Sequence, residues 1–437
     1  MFFHYIDLSW RSFKRTPLIT LLMVVAIAIG IGVTMMSLSV YHMMSMDPMP
    51  HKSDKVHPVQ LNTRDDGSDW WSKDDLPQQI TYQDAVNLYR ADIPAIKTPS
   101  YRTGYSLHLG DDNIKPFIES VRVTGLPFFQ IFDIEFVEGQ PWTQQQENNA
   151  EMVTVISRAL SERLFGKESG LGQQVYYDQH LFRIIGIFDN FDHHIKYYDL
   201  TNGDFSKHEH AFIPFSLTEP LKINNWGNTN GWKFQEIRTF EDKLQSEQHW
   251  VQFWVQLDNK EQYQDYHGFL NNYLIEQEAK GRFEREEPAF AMRNLTEWLD
   301  YNDVVTEDNR VLVAMSFMFL SVCLANILGL LLGKFLKRVP EIGVRRALGA
   351  SKRDVFAQHI VEVSMLGVFG GILGVGLAQL GLWGVRATYS YYSELATMDL
   401  TMFFSAPIIA MTACILAGLF PAYLVCKTNP AICLKTQ

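Results

Sequence analysis

Apolar and polar positions divide this chain into zones of opposite character. Residues 18–43 hold no Asp, Glu, Lys or Arg, and three further apolar runs cover 311–333, 361–385 and 403–425. Each is long enough to cross a bilayer as a helix, which predicts spans at 18–43, 311–333, 356–385 and 403–425. The interval 44–306 is soluble in character. Its first part, to about Ser72, is rich in Asp, Pro, His and Ser and reads as stalk or loop.

Beyond Ser72, short strands alternate with helices. Glu119–Val123 predicts a strand and Leu126–Phe132 a turn into a short helix. Met152–Ile156 predicts a strand, Ser157 a cap, and Ala159–Phe165 a helix ended by Gly166. Val175–Tyr177 and Phe182–Phe188 pair as a hairpin around Asp178. Val251–Leu257 alternates as a half-buried strand before a helix over Lys260–Lys280. The pattern is α+β.

Polar patterning near the spans adds two elements. Phe2, Phe3, Ile6, Trp10 and Phe13 recur at helical spacing, with Asp7, Arg11 and Lys14 on other faces. Residues 1–17 therefore read as an amphipathic cytoplasmic helix, or as a basic flank. The loop 334–355 holds Lys334, Lys337, Arg338, Arg345, Arg346, Lys352 and Arg353. Pro340 opens a helix there and Gly349 closes it in a left-handed conformation. Ile342, Ala347 and Leu348 are expected on one apolar side, with Glu341, Arg345 and Arg346 elsewhere. Ser351 and Asp354 start the next helix as a capping box.

Charge sets the orientation. The formal net charge of −11 divides into +2 for residues 1–43, +4 for 307–437 and −17 for the interval between. Basic flanks stay in the cytoplasm, so the acidic middle is exported and 426–437 is a cytoplasmic tail. That middle is the wrong charge for nucleic acid. The four cysteines, Cys323, Cys414, Cys426 and Cys433, all lie in or beside C-terminal apolar runs. The exported domain is thus expected to be stable without disulfides. In the third span Gly367, Gly370, Gly371 and Gly374 form two small-residue pairs, and Gly30 belongs to a similar pair in the first; all predict close helix packing. The 386–402 link, with Trp383, Tyr389, Tyr391 and Tyr392, reads as an external loop with interfacial aromatics.

Candidate chemistry is sparse. Gly329, Gly333 and Lys334 mimic a phosphate-binding loop with the wrong spacing and no hydroxyl residue. No catalytic residue is assigned and no Walker motif is found. Asp192-His193-His194 and His208-Glu209-His210 read as solvated polar loops, so no metal site is assigned. His359 and Glu362 are ionisable groups in a span and hence functional candidates, read as interfacial and near the basic loop.

A basic loop could serve topology alone. However, E-I-G-V-R-R-A-L-G-A-S-K-R-D-V resembles the signature of MacB/FtsX-type ABC transporter permeases. V-T-G-L-P-F-F-Q-I-F-D, V-T-V-I-S-R-A-L-S-E-R-L-F-G and F-R-I-I-G-I-F resemble blocks of the MacB-type periplasmic core. The G-L-F-P-A-Y-L-V-C-K-T-N-P tail is similar to the family's ending. The resemblance implies a four-span membrane protein with an α+β extracytoplasmic domain at 44–306, built of porter and sabre-like parts. The sabre-like insertion is expected at about 85–240. It implies an ATPase-coupling helix of Glu341, Ile342, Gly343, Arg345, Arg346, Ala347, Leu348, Gly349 and Ala350. It further implies a second permease chain, identical or paralogous, and a separate ATPase subunit that binds the ATP and Mg. A periplasmic adaptor, an outer-membrane channel and membrane lipid complete the expected partners. The expected location is the cell inner membrane. The implied function is extrusion driven by mechanotransmission (efflux, or lipoprotein release); the alternative is an FtsX-like regulator of a cell-wall hydrolase.

Overall fold

The computed structural model describes residues 2–68, 72–110, 114–189, 191, 195–388 and 398–427. Tyr389, Tyr391, Tyr392, the Asp192-His193-His194 cluster and the tail from 428 lie outside these residues. The chain forms two units, one of residues 1–46 with 305–437 and one of 47–304.

Two helices open the chain, Phe2–Arg15 (α1) and Pro17–Ser45 (α2). The 47–304 unit follows. Its elements begin with β1 (Val56–Leu61), β2 (Ile80–Thr81), α3 (Tyr82–Arg90), β3 (Ile96–His108) and β4 (Phe117–Thr124). Next come α4 (Phe128–Ile131), β5 (Phe136–Gly139), α5 (Gln144–Asn148), β6 (Val153–Ser157) and α6 (Arg158–Phe165). The hairpin β7 (Gln174–Tyr177) and β8 (His180–Phe188) leads to β9 (Ala211–Pro214) and α7 (Phe240–Leu244). The unit closes with β10 (His249–Gln256), α8 (Lys260–Ala279), β11 (Phe290–Met292) and α9 (Leu295–Tyr301).

One sheet runs through this unit in the order β11-β1-β10-β3-β4-β9-β6-β8-β5, with β2 on β10 and β7 against β3 and β8. The strands of the region read as an insertion join those outside it through the antiparallel β10–β3 pair, with Phe253 opposite Pro99. Local chemistry explains several elements. Ser157 accepts from the Leu160 N–H at the start of α6, and Gly166 ends that helix at φ 67°. Asp178 turns the β7–β8 hairpin at φ 52°. On α8, Tyr266, Leu270, Tyr273 and Leu274 recur at helical spacing and are buried.

Three expectations need correction. The stretch read as stalk contains β1, buried along its whole length between β10 and β11. Its polar side chains are satisfied inside: His57 Nδ1 bonds the Arg293 carbonyl at 3.1 Å, and Gln60 donates to the Pro77 carbonyl at 3.2 Å. Strand β10 is buried on both faces except at Gln256, because it lies in the middle of the sheet. His208-Glu209-His210 is no solvated loop, since Glu209 is fully buried (below).

The other unit continues with α10 (Glu307–Leu336), α11 (Val339–Ala347), α12 (Lys352–Thr388) and α13 (Leu400–Lys427). Among the described residues, helices α2, α10, α12 and α13 are the four long enough and apolar enough to cross a membrane. The glycines of α12 serve two neighbours. A Cβ on Gly374 would lie 2.9 Å from Ile31 of α2, and one on Gly370 would clash with Ile27. On another face, Gly367 and Gly371 approach Met411 and Pro407 of α13, where a Cβ would stand 2.6 and 2.7 Å from their Cα atoms. Gly30 of α2 faces Leu320 and Cys323 of α10. In lipid, such close backbone approach replaces the hydrophobic driving force available in water.

Candidate functional site

Helix α11 begins after Arg338, with Pro340 in its first turn, where the missing N–H costs no hydrogen bond. It ends at Ala347, and Gly349 takes a φ of 104°, beyond the range that a side chain tolerates well. Beyond it, Ser351 Oγ donates to Asp354 at 2.7 Å and accepts from the Asp354 N–H at 3.2 Å, starting α12.

The two sides of α11 differ from expectation. Ile342 and Gly343 are buried against the bundle, but Leu348 is 84% exposed and Val344 47%. Six positions separate Ile342 from Leu348, which places them on different sides of a helix with 3.6 residues per turn. Ile342 and Leu348 therefore do not share an apolar side. Glu341 and Arg345 turn back onto the unit. Arg345 Nη2 pairs with Glu341 at 2.6 Å and Nη1 donates to Gln358 of α12 at 3.3 Å. Arg15 of α1 reaches the other Glu341 oxygen at 3.3 Å. Arg346 and Ala350 are half-buried and Gly349 is exposed, whereas the Ala347 side chain lies outside the described set. The outward surface is thus apolar at Val344 and Leu348.

Behind α11 lies a polar knot that sequence reasoning located only in part. Glu362 of α12 is fully buried. Its Oε1 is 2.7 Å from Lys334 Nζ of α10, its Oε2 is 3.4 Å from Arg338, and Ser12 of α1 donates to it. His359 sits one turn away, its ring centroid 4.1 Å from that of Phe335. Three stretches of the chain, around Ser12, Lys334–Arg338 and Glu362, thereby meet on one carboxylate. Lys334, the residue that mimicked a phosphate-loop lysine, is here the partner of that carboxylate. Its sequence signal was a lone charge at the end of an apolar run; Ser12 gave none.

The amphipathic helix α1 also divides differently from its pattern. Ser9, Ser12 and Phe13 are buried, while Phe3 and Trp10 are exposed. Small hydroxyl residues let α1 lie close to α12, and the Trp10 ring, though half exposed, still stands 6.2 Å from that of Phe369 on α12.

In the 47–304 unit, Glu209 accepts from Arg122 at 2.8 Å and from Lys196 at 2.6 Å, and Asp199 also binds Arg122. All four side chains are fully buried. Burial pushes the Glu209 carboxyl up, but Arg122 and Lys196 pull it further down, well below the usual carboxylate range. The flanking histidines bond Tyr198 and Ser157, both at 2.9 Å. Among the described residues, no group of three His, Cys, Asp or Glu side chains is placed to hold a metal.

The MacB-like periplasmic core domain family matches residues 20–267, and the FtsX-like permease C-terminal family matches 313–430. An uncharacterized ABC transporter permease, YvrN of Bacillus subtilis, is 23% identical over 82% of each chain. Pyoverdine export ATP-binding/permease protein PvdT of Pseudomonas syringae is 25% identical over 71% of this chain. Macrolide export ATP-binding/permease protein MacB 2 of Aeromonas hydrophila is 22% identical over 88%. This chain spans only 42% of that PvdT and 54% of that MacB 2. The periplasmic region of MacB from Actinobacillus actinomycetemcomitans aligns with 58% of this chain and 94% of its own, at 14% identity and a TM-score of 0.36.

Proposed function

The chain belongs to the MacB/FtsX type of ABC transporter permease, and from that premise we propose that it couples a separate ATPase to work done by its extracytoplasmic domain. The ATPase, with its ATP and Mg, docks on the outward side of α11. ATP binding moves α11, and the spans carry the motion to the exported domain by mechanotransmission. The working unit is a pair of permease chains in the cytoplasmic membrane, since four spans and one α11 come from each. The task is extrusion of a substrate on the far side, efflux or lipoprotein release, with a periplasmic adaptor and an outer-membrane channel as partners. Two of the relatives named above are export proteins, which supports extrusion over hydrolase activation.

The carrying observation is α11 itself. A nine-residue helix and its C-terminal cap expose Val344 and Leu348, while Glu341 bonds Arg15 of α1 and Arg345 bonds Gln358 of α12. An exposed apolar residue on an otherwise tethered helix suits a docking anchor. Leu348→Asp is expected to lower co-purification of the ATPase at least tenfold while membrane insertion is unchanged. Full retention of the ATPase by this variant would sink the reading. Identifying the chains that co-purify with the wild type tests the partners: an adaptor supports extrusion, and a cell-wall hydrolase overturns it.

A further inference from the structure

The polar knot borders a cavity of about 130 Å³ between α1, α11 and α12. Arg11 and Arg15 of α1, Arg338, Arg345 of α11, and His359 of α12 line it. Its charges do not balance. Glu341 is shared by Arg15 and Arg345, Glu362 by Lys334 and Arg338, and Asp7 pairs with Arg11. Five cations thus share three carboxylates, an excess of two positive charges around one small space. His359 adds an independent sign. It is 2% exposed, lines the cavity, and its Nδ1, 3.9 Å from Glu362 Oε2, makes no hydrogen bond. A buried polar atom left in this way costs free energy unless something fills the space beside it.

The cavity has its own aspect. It lies on the inner side of α11, not on the outward side where Val344 and Leu348 are exposed. Its other wall, α1, exposes Phe3 and Trp10 and precedes the first span directly. A helix with exposed aromatics and basic residues beside a span lies at headgroup level. The side chains of Arg11 and Arg15 are 70% and 67% exposed there.

We propose that this cavity is a binding site for the phosphate group of an anionic phospholipid, held between α1 and α11. Arg11 and Arg15 take the phosphate from the bilayer side, Arg338 and Arg345 supply the fixed positive field, and His359 offers a ring nitrogen. Planar guanidinium groups suit phosphate oxygens, two N–H bonds at a time. A lipid held here ties α1 to α11 from within the membrane. The proposal needs membrane insertion but not ATPase docking, so the two readings can fail separately.

Native mass spectrometry of the full chain, released from nanodiscs of mixed phosphatidylglycerol and phosphatidylcholine, tests it. The wild type is expected to retain phosphatidylglycerol preferentially. Arg11→Gln with Arg15→Gln should reduce that preference at least tenfold, since each basic residue near an anionic surface contributes about fivefold. Glu341→Gln, which removes a competing carboxylate, should strengthen it. Arg353→Gln, basic and exposed but outside the cavity, should leave it intact. No lipid preference in the wild type would overturn the proposal, as would equal losses in the Arg353 and Arg11/Arg15 variants. Displacement of the lipid by millimolar inorganic phosphate would assign the site to free phosphate instead and overturn the lipid reading.

Discussion

Two buried carboxylates, Glu209 in the exported domain and Glu362 in the membrane unit, look alike and differ in one respect. Each is fully buried and each meets two cations. Around Glu209 the account is closed: Arg122 and Lys196 face Glu209 and Asp199, two against two, and all four are wholly inside. Around Glu362 it is open: Lys334 and Arg338 face a single carboxylate, and Arg338 lines a cavity with further cations. A charge-balanced, enclosed cluster of this kind acts as a structural fastener, even with Arg122 Nε left without a hydrogen bond. An unbalanced cluster beside a cavity can take a ligand or change its contacts.

Breaking the closed cluster should have the larger effect. Glu209→Gln leaves Arg122 and Lys196 buried with too little negative charge. It is expected to cost about 3–5 kcal/mol, read from chemical unfolding of the solubilised chain. The sign with pH is defined. The folded Glu209 carboxyl lies below its unfolded value, so its stabilisation is full above about pH 5 and is lost progressively as pH falls below that towards the depressed folded value. The variant should lack this contribution to acid lability. A cost under about 1 kcal/mol would show that Glu209 is not the fastener described.

Next comes the close helix packing. Gly374→Val places a branched side chain against Ile31 and the Ala28 carbonyl, 2.9 and 3.2 Å from its Cβ, and should cost about 1–3 kcal/mol. Gly376→Ala, where nothing lies within 4 Å, should be neutral or slightly stabilising. Equal effects at both positions would break the packing assignment. Glu362→Gln is expected to cost less than Glu209→Gln, about 1–2 kcal/mol, because the adjoining cavity admits water or an anion to Arg338. An equal or larger cost would erase the contrast between the clusters. The smallest stability effect belongs to Leu348→Asp, within about 0.5 kcal/mol, since Leu348 is 84% exposed; its consequence is for docking.

By itself, the sequence determined whatever rests on local or periodic pattern. Four apolar runs announce four spans, because a bilayer demands uninterrupted apolar length. Ser157 and Gly166 bracket α6, Asp178 turns the β7–β8 hairpin, and Pro340 and Gly349 bound α11. Each of these signals acts within a few residues of its element. What only the tertiary structure decided depends on partners distant in the chain. Strand β1 reads as stalk because His57 and Gln60 look solvated until the Arg293 and Pro77 carbonyls receive them. Glu209 reads as part of a polar loop because Arg122 stands 87 positions away. Ser12 and Glu362 are 350 positions apart, and neither carries a local mark of the other. A buried charge is tolerated only when its counter-charges arrive in three dimensions, and hydrophobic periodicity holds no record of which ones will.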